Sequence, residues 1–459
     1  DNVNDGFSRE VTAVLGVGTD DGRGNVTAYA SYRNNDPVLQ GERDYSACAI
    51  GAPNSATGPD TFSCFGSSAA FPGRFSDFGL NRNMVDPDGA GPLPAVDTNP
   101  LPAFDATLDG AGGFRPFTAN DLYNYGPLNF YQRPDERYSL GSFARYELNP
   151  HVEVYADLMF TDYSSFSQIA PTANFFNTGT INCDNPLLSS AQRDAIGCGA
   201  PAAAAFAAGF IDDPNRVPMY IGRRNVEGGG RQDDLRYQSY RMVGGVRGPI
   251  NDWWSYDLSA QYSRVQLSRV YRNEFLVSRL TRALDVIDVG GVPTCRSAAD
   301  GTDPNCVPYD IFSGAGPSDE ALAYLSAPLV LTGSTTQQVL TGAMTGDLGG
   351  HGVRSPWAEQ GVQVALGLEY RRDELDSTPD ASFQSGEGAG QGGPTTPLAG
   401  VNDVFDMFVE AQIPLVEGRP FFDRLSIDLA YRYSDYDLGG ETDTYKIGAD
   451  WAPVEDIRF

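Results

Sequence analysis

Apolar and polar side chains alternate one by one over stretches of about ten residues along this chain, and that period dictates β-strands with one apolar and one polar face. Val152, Val154, Ala156, Leu158 and Phe160 share one face, and Glu153, Tyr155, Asp157, Met159 and Thr161 the other. Val362, Val364, Leu366, Leu368 and Tyr370 likewise oppose Gln363, Ala365, Gly367, Glu369 and Arg371. Phe405, Met407, Val409, Ala411 and Ile413 oppose Asp406, Phe408, Glu410 and Gln412. Leu425, Ile427, Leu429, Tyr431 and Tyr433 oppose Ser426, Asp428, Ala430, Arg432 and Ser434. The pattern predicts strands over 9–18, 25–34, 136–148, 152–164, 236–247, 253–274, 335–347, 359–375, 402–414, 425–437 and 441–451.

Periodicity alone does not say which face is buried. A sandwich hides the apolar face, whereas a membrane barrel turns it to lipid and keeps the polar face in a wet lumen. Strand length separates the two. Soluble strands run to about 5 or 6 residues, and a tilted membrane strand needs about ten. The membrane reading therefore expects Val154, Leu158, Leu366, Leu368, Ile427 and Leu429 outward, with Glu153, Asp157, Glu369, Asp428 and Arg432 inward. Aromatics near strand ends, Trp253, Trp254, Tyr370, Tyr431, Tyr433 and Trp451, sit where an interfacial girdle would place them.

The connections alternate short and long, as in outer-membrane barrels with short periplasmic turns and long extracellular loops. Short ones fall near 20–24, 149–151, 249–252 and 453–456, with longer turns near 349–358 and 416–423. Long ones cover about 36–135, 165–234, 275–334 and 376–402. All six cysteines lie in the long set, as three close pairs: Cys48 with Cys64, Cys183 with Cys198, Cys295 with Cys306. Short loops close at least entropic cost, so the local pairings are expected, and with them an oxidising compartment. The competing reading, unpaired core thiols, fits poorly with the polar, Gly/Pro-rich surroundings of each pair. Ser189–Ile196 and 319–325 carry short-helix signals within those loops.

A net charge of −28 disfavours a nucleic-acid partner, because phosphate neutralisation needs clustered Lys and Arg. No stretch approaches the ~18 to 20 apolar residues of a membrane helix, so a membrane-embedded chain of this kind must be a barrel. Asp1–Asp5 carries no signal-peptide pattern.

Several runs resemble a known family. Asp21-Gly22-Arg23-Gly24-Asn25-Val26-Thr27-Ala28-Tyr29 followed by Asp36-Pro37-Val38-Leu39-Gln40 resembles TonB-dependent receptor barrels. So do Asp288-Val289-Gly290-Gly291-Val292-Pro293-Thr294-Cys295, Asp303-Pro304-Asn305-Cys306-Val307-Pro308-Tyr309, Ala321-Leu322-Ala323-Tyr324-Leu325 and Gly367-Leu368-Glu369-Tyr370-Arg371. The resemblance implies an N-terminal plug, a barrel of about 22 strands and energy supplied by the TonB complex through a periplasmic box. The chain shows no plug or box and about half the strands. Residues 1–459 are therefore expected to be an interior part of such a barrel domain, all-β and antiparallel, with an open sheet of about 11 long strands. The chain ends Ile457-Arg458-Phe459, and a terminal Phe suits a closing barrel strand. Pro453 and Glu455 do not, so a periplasmic turn at 453–456 with a new strand just starting is expected instead.

No catalytic constellation stands out, and no cofactor is expected. Gly16-Val17-Gly18 precedes no helix, so it is no dinucleotide fingerprint. Asp86-Pro87-Asp88-Gly89 and Asp300-Gly301-Thr302-Asp303 read as acidic turns rather than calcium loops. Both histidines, His151 and His351, fall in periplasmic turns, which disfavours heme uptake. The candidate solute contacts are loop aromatics: Phe71, Phe75, Tyr123, Tyr125, Phe130, Tyr131, Phe175, Phe176 and Tyr309. Ring faces stack on sugars or other planar, weakly charged ligands; the bland alternative is that they fold the loops onto themselves. The expectation is a non-enzymatic segment of a Gram-negative outer-membrane receptor, binding a scarce small-molecule solute for TonB-energised uptake and contacting membrane lipid. A passive porin and a secreted all-β enzyme are the competing readings.

Overall fold

The computed structural model describes residues 4–51, 62–78 and 99–459. Eleven long strands form one antiparallel meander, each paired to the next in sequence. They are β1 (Ser8–Gly18), β2 (Gly24–Asn35), β3 (Asp135–Asn149), β4 (Val152–Pro171), β5 (Gly230–Pro249) and β6 (Trp254–Phe275). β7 (Ser326–Asp347), β8 (Gln363–Pro379), β9 (Leu398–Arg419), β10 (Phe422–Tyr436) and β11 (Gly440–Ala452) complete it. The sheet is open: among the described residues β1 and β11 pair only with β2 and β10. Beyond β11 the chain turns at Val454 and Ile457, and Phe459 exchanges backbone hydrogen bonds with Trp451. That is the expected turn, with no strand assigned after it.

The register keeps one apolar row in line across the sheet. Leu158 lies opposite Met242, Leu258 opposite Gly342, Leu368 opposite Met407 and Leu429 opposite Ile447. Among the described residues no second sheet covers this row: Leu158 is 50% exposed, Leu368 53% and Ile447 83%. The opposite face carries the expected polar set and is the more crowded one, with Asp406, Ser426, Ser434 and Asp450 buried. Arg432 ion-pairs with Asp406 at 2.8 Å across it. An exposed apolar face beside a crowded polar one is the inverse of a soluble sandwich.

All but β6 and β8, which have their expected lengths, outrun the strands expected from the sequence. β6, β7 and β9 have 22 residues each, roughly 70 Å at ~3.3 Å per residue. A ~30 Å hydrocarbon layer covers only part of that. Above Phe160, Tyr240, Tyr370 and Phe405, the apolar row turns polar at Asp162, Gln238, Arg372 and Asp403. Both faces are then polar, and the alternation that marks the lower half disappears. Below, Trp253, Trp357, Phe421, Phe422 and Trp451 stand exposed at or beside the short turns, a girdle that includes two of the expected residues.

The dry core lies in the loops. The described residues of four connections, 36–134, 172–229, 276–325 and 380–397, fold against each other as one cap above the sheet. The first two share a five-stranded sheet, ordered Ala173–Phe175, Tyr220–Arg224, Arg74–Ser76, Asp105–Leu108, Phe114–Pro116. Phe75 and Leu101 from the first connection meet Ile196, Met219 and Ile221 from the second and Leu280, Ile311 and Phe312 from the third. Ala389 of the fourth joins them. The cap holds α1 (Ser190–Ala195), α2 (Ala200–Ala207), α3 (Val277–Leu284), α4 (Arg296–Ala299), α5 (Asp319–Leu325) and α6 (Ala381–Ser385). α1 and α5 are the two expected helices. Ser189 and Ser318 cap them, and Gln192 closes a capping box on Ser189. α6 buries Phe383 against Tyr271, Leu329 and Leu331, which belong to the polar-face rows of β6 and β7. The fourth connection therefore folds over the lumen side of the sheet.

Candidate functional site

All three local disulfides are formed, Cys48–Cys64, Cys183–Cys198 and Cys295–Cys306, with Cα separations of 5.5, 5.6 and 6.1 Å. One falls in each of the first three connections, and Cys295 and Cys306 belong to the cap core itself. The staples therefore hold the elements that carry the candidate aromatics.

Those aromatics divide into groups. Phe75 and Tyr309 are 0% exposed and offer no ring face to a solute. Phe75 packs on Phe114 and Phe312 at ring separations of 5.1 and 5.5 Å, and Tyr309 on Phe275 at 5.9 Å. For these two the folding role displaces the expected binding role, because the cap has a core of its own to fill. Phe130 packs edge-on against Phe166, and Tyr131 against Tyr45. Tyr131 keeps 55% of its surface exposed, and Tyr125 is exposed as well. Phe176 packs on Phe78, which in turn meets Tyr220. Phe78 and Phe176 both have positive φ, 48° and 61°, a costly conformation for a bulky side chain. Gly222 accommodates the Phe176 ring, since a Cβ there would overlap it.

The remaining rings surround three arginines that sequence reasoning passed over. Phe71 and Tyr309 lie against the Arg223 guanidinium, 5.5 and 5.8 Å from ring centre to Cζ. Tyr123 and Phe175 flank Arg224 at 5.3 and 5.0 Å, and Phe175 also meets Arg231 at 5.2 Å. Arg223 and Arg224 are each only 3% exposed. Arg223 forks onto Glu227, at 3.0 and 2.5 Å. Burial works against the Arg223 charge, but Tyr309 and Glu227 outweigh it and its pKa is raised. Burial pushes the Glu227 carboxyl up, Arg223 pulls it down, and the net shift is downward. Among the described residues no carboxylate sits on the Arg224 guanidinium, which donates to the Pro171 carbonyl and the Ser67 hydroxyl, both at 2.8 Å. Burial and the neighbouring Arg231 charge lower it to about 10, still protonated at neutral pH. Arg231 pairs with the fully buried Glu274, which also accepts from Thr172 and the Gly390 amide. The signal for this cluster was a doublet, Arg223-Arg224, in a chain with only 32 Lys and Arg.

The cluster draws all four connections to the top of the sheet: Ser67, Phe71 and Tyr123 of the first, Arg223, Arg224 and Phe175 of the second, Tyr309 of the third and Gly390 of the fourth meet there. No group of three or more His, Cys, Asp and Glu among the described residues is placed to hold a metal. Asp300 serves turn chemistry, accepting from Thr302, whereas Asp303 ties the loop to two helices by accepting from Tyr324 and Arg282. The Asp86–Gly89 run lies outside the described residues. His151 sits in the β3–β4 turn, its Nδ1 2.8 Å from the Pro249 carbonyl.

No family profile matches the chain, and no curated protein matches it. Solved structures do so faintly. The ferric enterobactin receptor of Pseudomonas aeruginosa in complex with enterobactin is 12% identical with a TM-score of 0.42, over 98% of this chain and 40% of its own. The siderophore receptor PirA of Acinetobacter baumannii is 10% identical at 0.41, over 99% and 40%. The ferric-catecholate import receptor Fiu of E. coli K12 is 8% identical at 0.39, over 98% and 50%. The chain thus spans 40% to 50% of the length of these proteins.

Proposed function

We propose that residues 1–459 are part of the wall and the external cap of a larger outer-membrane β-barrel that takes up a scarce solute, of the TonB-dependent kind. The observation that carries this is the continuous apolar row on one face of an eleven-stranded meander, exposed rather than packed. In water such a face is a liability; against lipid it is what a barrel wall requires. A secreted all-β enzyme would hide it. The unpaired β1 and β11 edges support the larger barrel, because hydrocarbon leaves no other partner for their backbone groups. Solute capture falls to the cap, whose exposed ring faces, Phe71, Phe78, Tyr125 and Tyr131, suit a compound with a planar or apolar face. A saccharide is not carried forward. Nearby charges are spent on each other, Arg74 on Asp105 and Arg223 on Glu227, which leaves few free groups for sugar hydroxyls. Energy would come from the TonB complex acting on a plug that these residues do not include.

The test exploits the cysteine pattern. All six cysteines of residues 1–459 are in disulfides, so a cysteine introduced there is the sole free thiol of this segment. Fluorophores on Leu368→Cys and Glu369→Cys should report opposite surroundings in lipid vesicles. Brominated lipid should quench the first and leave the second to aqueous quenchers. Equal responses from the two neighbours would refute the membrane assignment.

A further inference from the structure

The upper lumen wall, just beneath the cap, holds an arginine without a counter-charge. Arg137 on β3 lies directly across from Arg33 on β2 and from Tyr163 on β4, and Tyr163 lies across from Tyr237 on β5. Tyr163 continues the inward set of Glu153, Asp157 and Thr161, so the whole row faces the lumen. Like charges set directly opposite destabilise a sheet unless each is neutralised. Arg33 is neutralised, forking onto Asp135 at 3.2 and 2.9 Å. Arg137 is half-buried and, among the described residues, has neither an ion pair nor a hydrogen bond. Its Nε is closed off by protein, whereas both Nη atoms reach solvent. The next row down is hydroxylic, with Ser31, Ser139, Thr161 and Ser239 side by side on four strands. Among the described residues these hydroxyls make one hydrogen bond, a long one of 3.4 Å from Thr161 to Ser139. On the other flank of Arg137 the Tyr163 and Tyr237 rings lie 6.2 Å apart.

We propose that this patch binds the single oxyanion of a small planar acid, and that such a monoanion is the solute. The two Nη atoms of Arg137 would take the carboxylate, whose paired oxygens match a planar fork of donors. Ser31, Ser139 and Thr161 would donate from the row below, and the flat body would lie along Tyr163 and Tyr237. The count of free charges sets the charge of the solute. A chelate with several negative groups meets no second free cation in these two rows. It meets Glu10 across from Arg33 instead. The next arginine down, Arg241, is held on Gln261 at 2.8 Å and has Asp157 diagonal to it. This proposal rests on the uptake reading above and names the class of solute within it.

Fluorine NMR of the complete protein that contains residues 1–459, in detergent, measures it with para-fluorobenzoate and its neutral counterpart, para-fluorobenzyl alcohol. The acid should bind and the alcohol should not. Arg137→Gln should weaken the acid about tenfold, the loss of one charge-assisted pair. Arg137→Lys, which keeps the charge, should restore part of that loss. Benzenetricarboxylate, a trianion, should displace the probe less readily than benzoate does. Unchanged binding in Arg137→Gln, equal binding of the alcohol, or better displacement by the trianion would overturn the proposal. Absence of any fluorobenzoate binding would overturn it too, leaving Arg137 to a carboxylate of a segment outside residues 1–459. The Leu368→Cys quenching, carried in each variant, reports folding and membrane placement, so a failure here stays distinct from failure of the membrane reading.

Discussion

Three lumen-side aromatics owe their positions to glycines on the next strand. Tyr29 lies over Gly141, Tyr155 over Gly245 and Phe408 over Gly367, each the direct cross-strand partner. A Cβ at any of these glycines would overlap the ring. The rings lie flat along the wall instead of standing into the lumen, and Tyr155 reaches past β5 to donate to Asp257 on β6 at 2.7 Å. Gly245→Val should lift that ring, break the hydrogen bond and lower stability by about 1–3 kcal/mol, read from the denaturation midpoint. Its neighbour Gly244, where a Cβ would meet nothing within 4 Å, supplies the control: Gly244→Ala should be near neutral. A second prediction at this scale concerns pH. The Glu227 carboxyl is held below its usual range by Arg223 despite burial. Its contribution is complete above the unfolded value near ~4.3 and is lost as pH falls through the folded value. Hydrogen exchange in the cap should therefore accelerate selectively on acidification below about pH 4, and Glu227→Gln should flatten that dependence. Equal acid sensitivity in the variant would assign the effect elsewhere.

The strands were legible because period two is imposed by the pleat, and their lower halves meet two different solvents. Where both faces are polar, as from Asp162 to Gln168 on β4, the period carries no signal and the strand ends were placed too early. The cap was illegible for the complementary reason. Its core draws single residues from four connections far apart in sequence, Phe75, Ile221, Leu280 and Ala389 among them, so no local pattern announces it. The cysteines and the capping signals of α1 and α5 were its readable traces, since short closed loops pair locally and helix caps are local too. Of the solute-facing expectations, Phe75 and Tyr309 turned out to be core, while Phe78 and Tyr220 joined Phe176 unannounced. Cap and wall should also separate in stability. Reducing the disulfides should cost the cap about 2–4 kcal/mol per bridge, with proteolytic nicking first in the connections. The β-sheet circular dichroism of the wall should persist, because no cysteine lies in β1–β11. Simultaneous loss of both signals would show that the cap is required to hold the wall together.

At the scale of the molecule the decisive feature is the pair of free edges. β1 has 11 residues and β11 has 13, and an edge strand leaves about half of its N–H and C=O groups pointing at nothing. Each such group costs several kcal/mol in hydrocarbon, so the two edges together outweigh the ~5–15 kcal/mol by which a domain is stable. The apolar rows of both edges are ready to continue: Val11, Ala13, Leu15 and Val17 on β1, and Tyr445, Ile447, Ala449 and Trp451 on β11. Strand number and diameter are coupled, so further strands joining these two edges would close a wider barrel than eleven could. These residues alone, refolded into detergent or lipid, should therefore associate through their edges and show no heat-modifiable monomer on a gel. Supplying further strands should convert them to an inserted, monodisperse barrel. Cysteines at Ala13 and Ile447 provide the direct measurement. In the assembled protein they should each cross-link to other strands and not to each other. A cross-link between them within one inserted monomer would show that the eleven strands close on themselves, and the larger-barrel proposal would then fall.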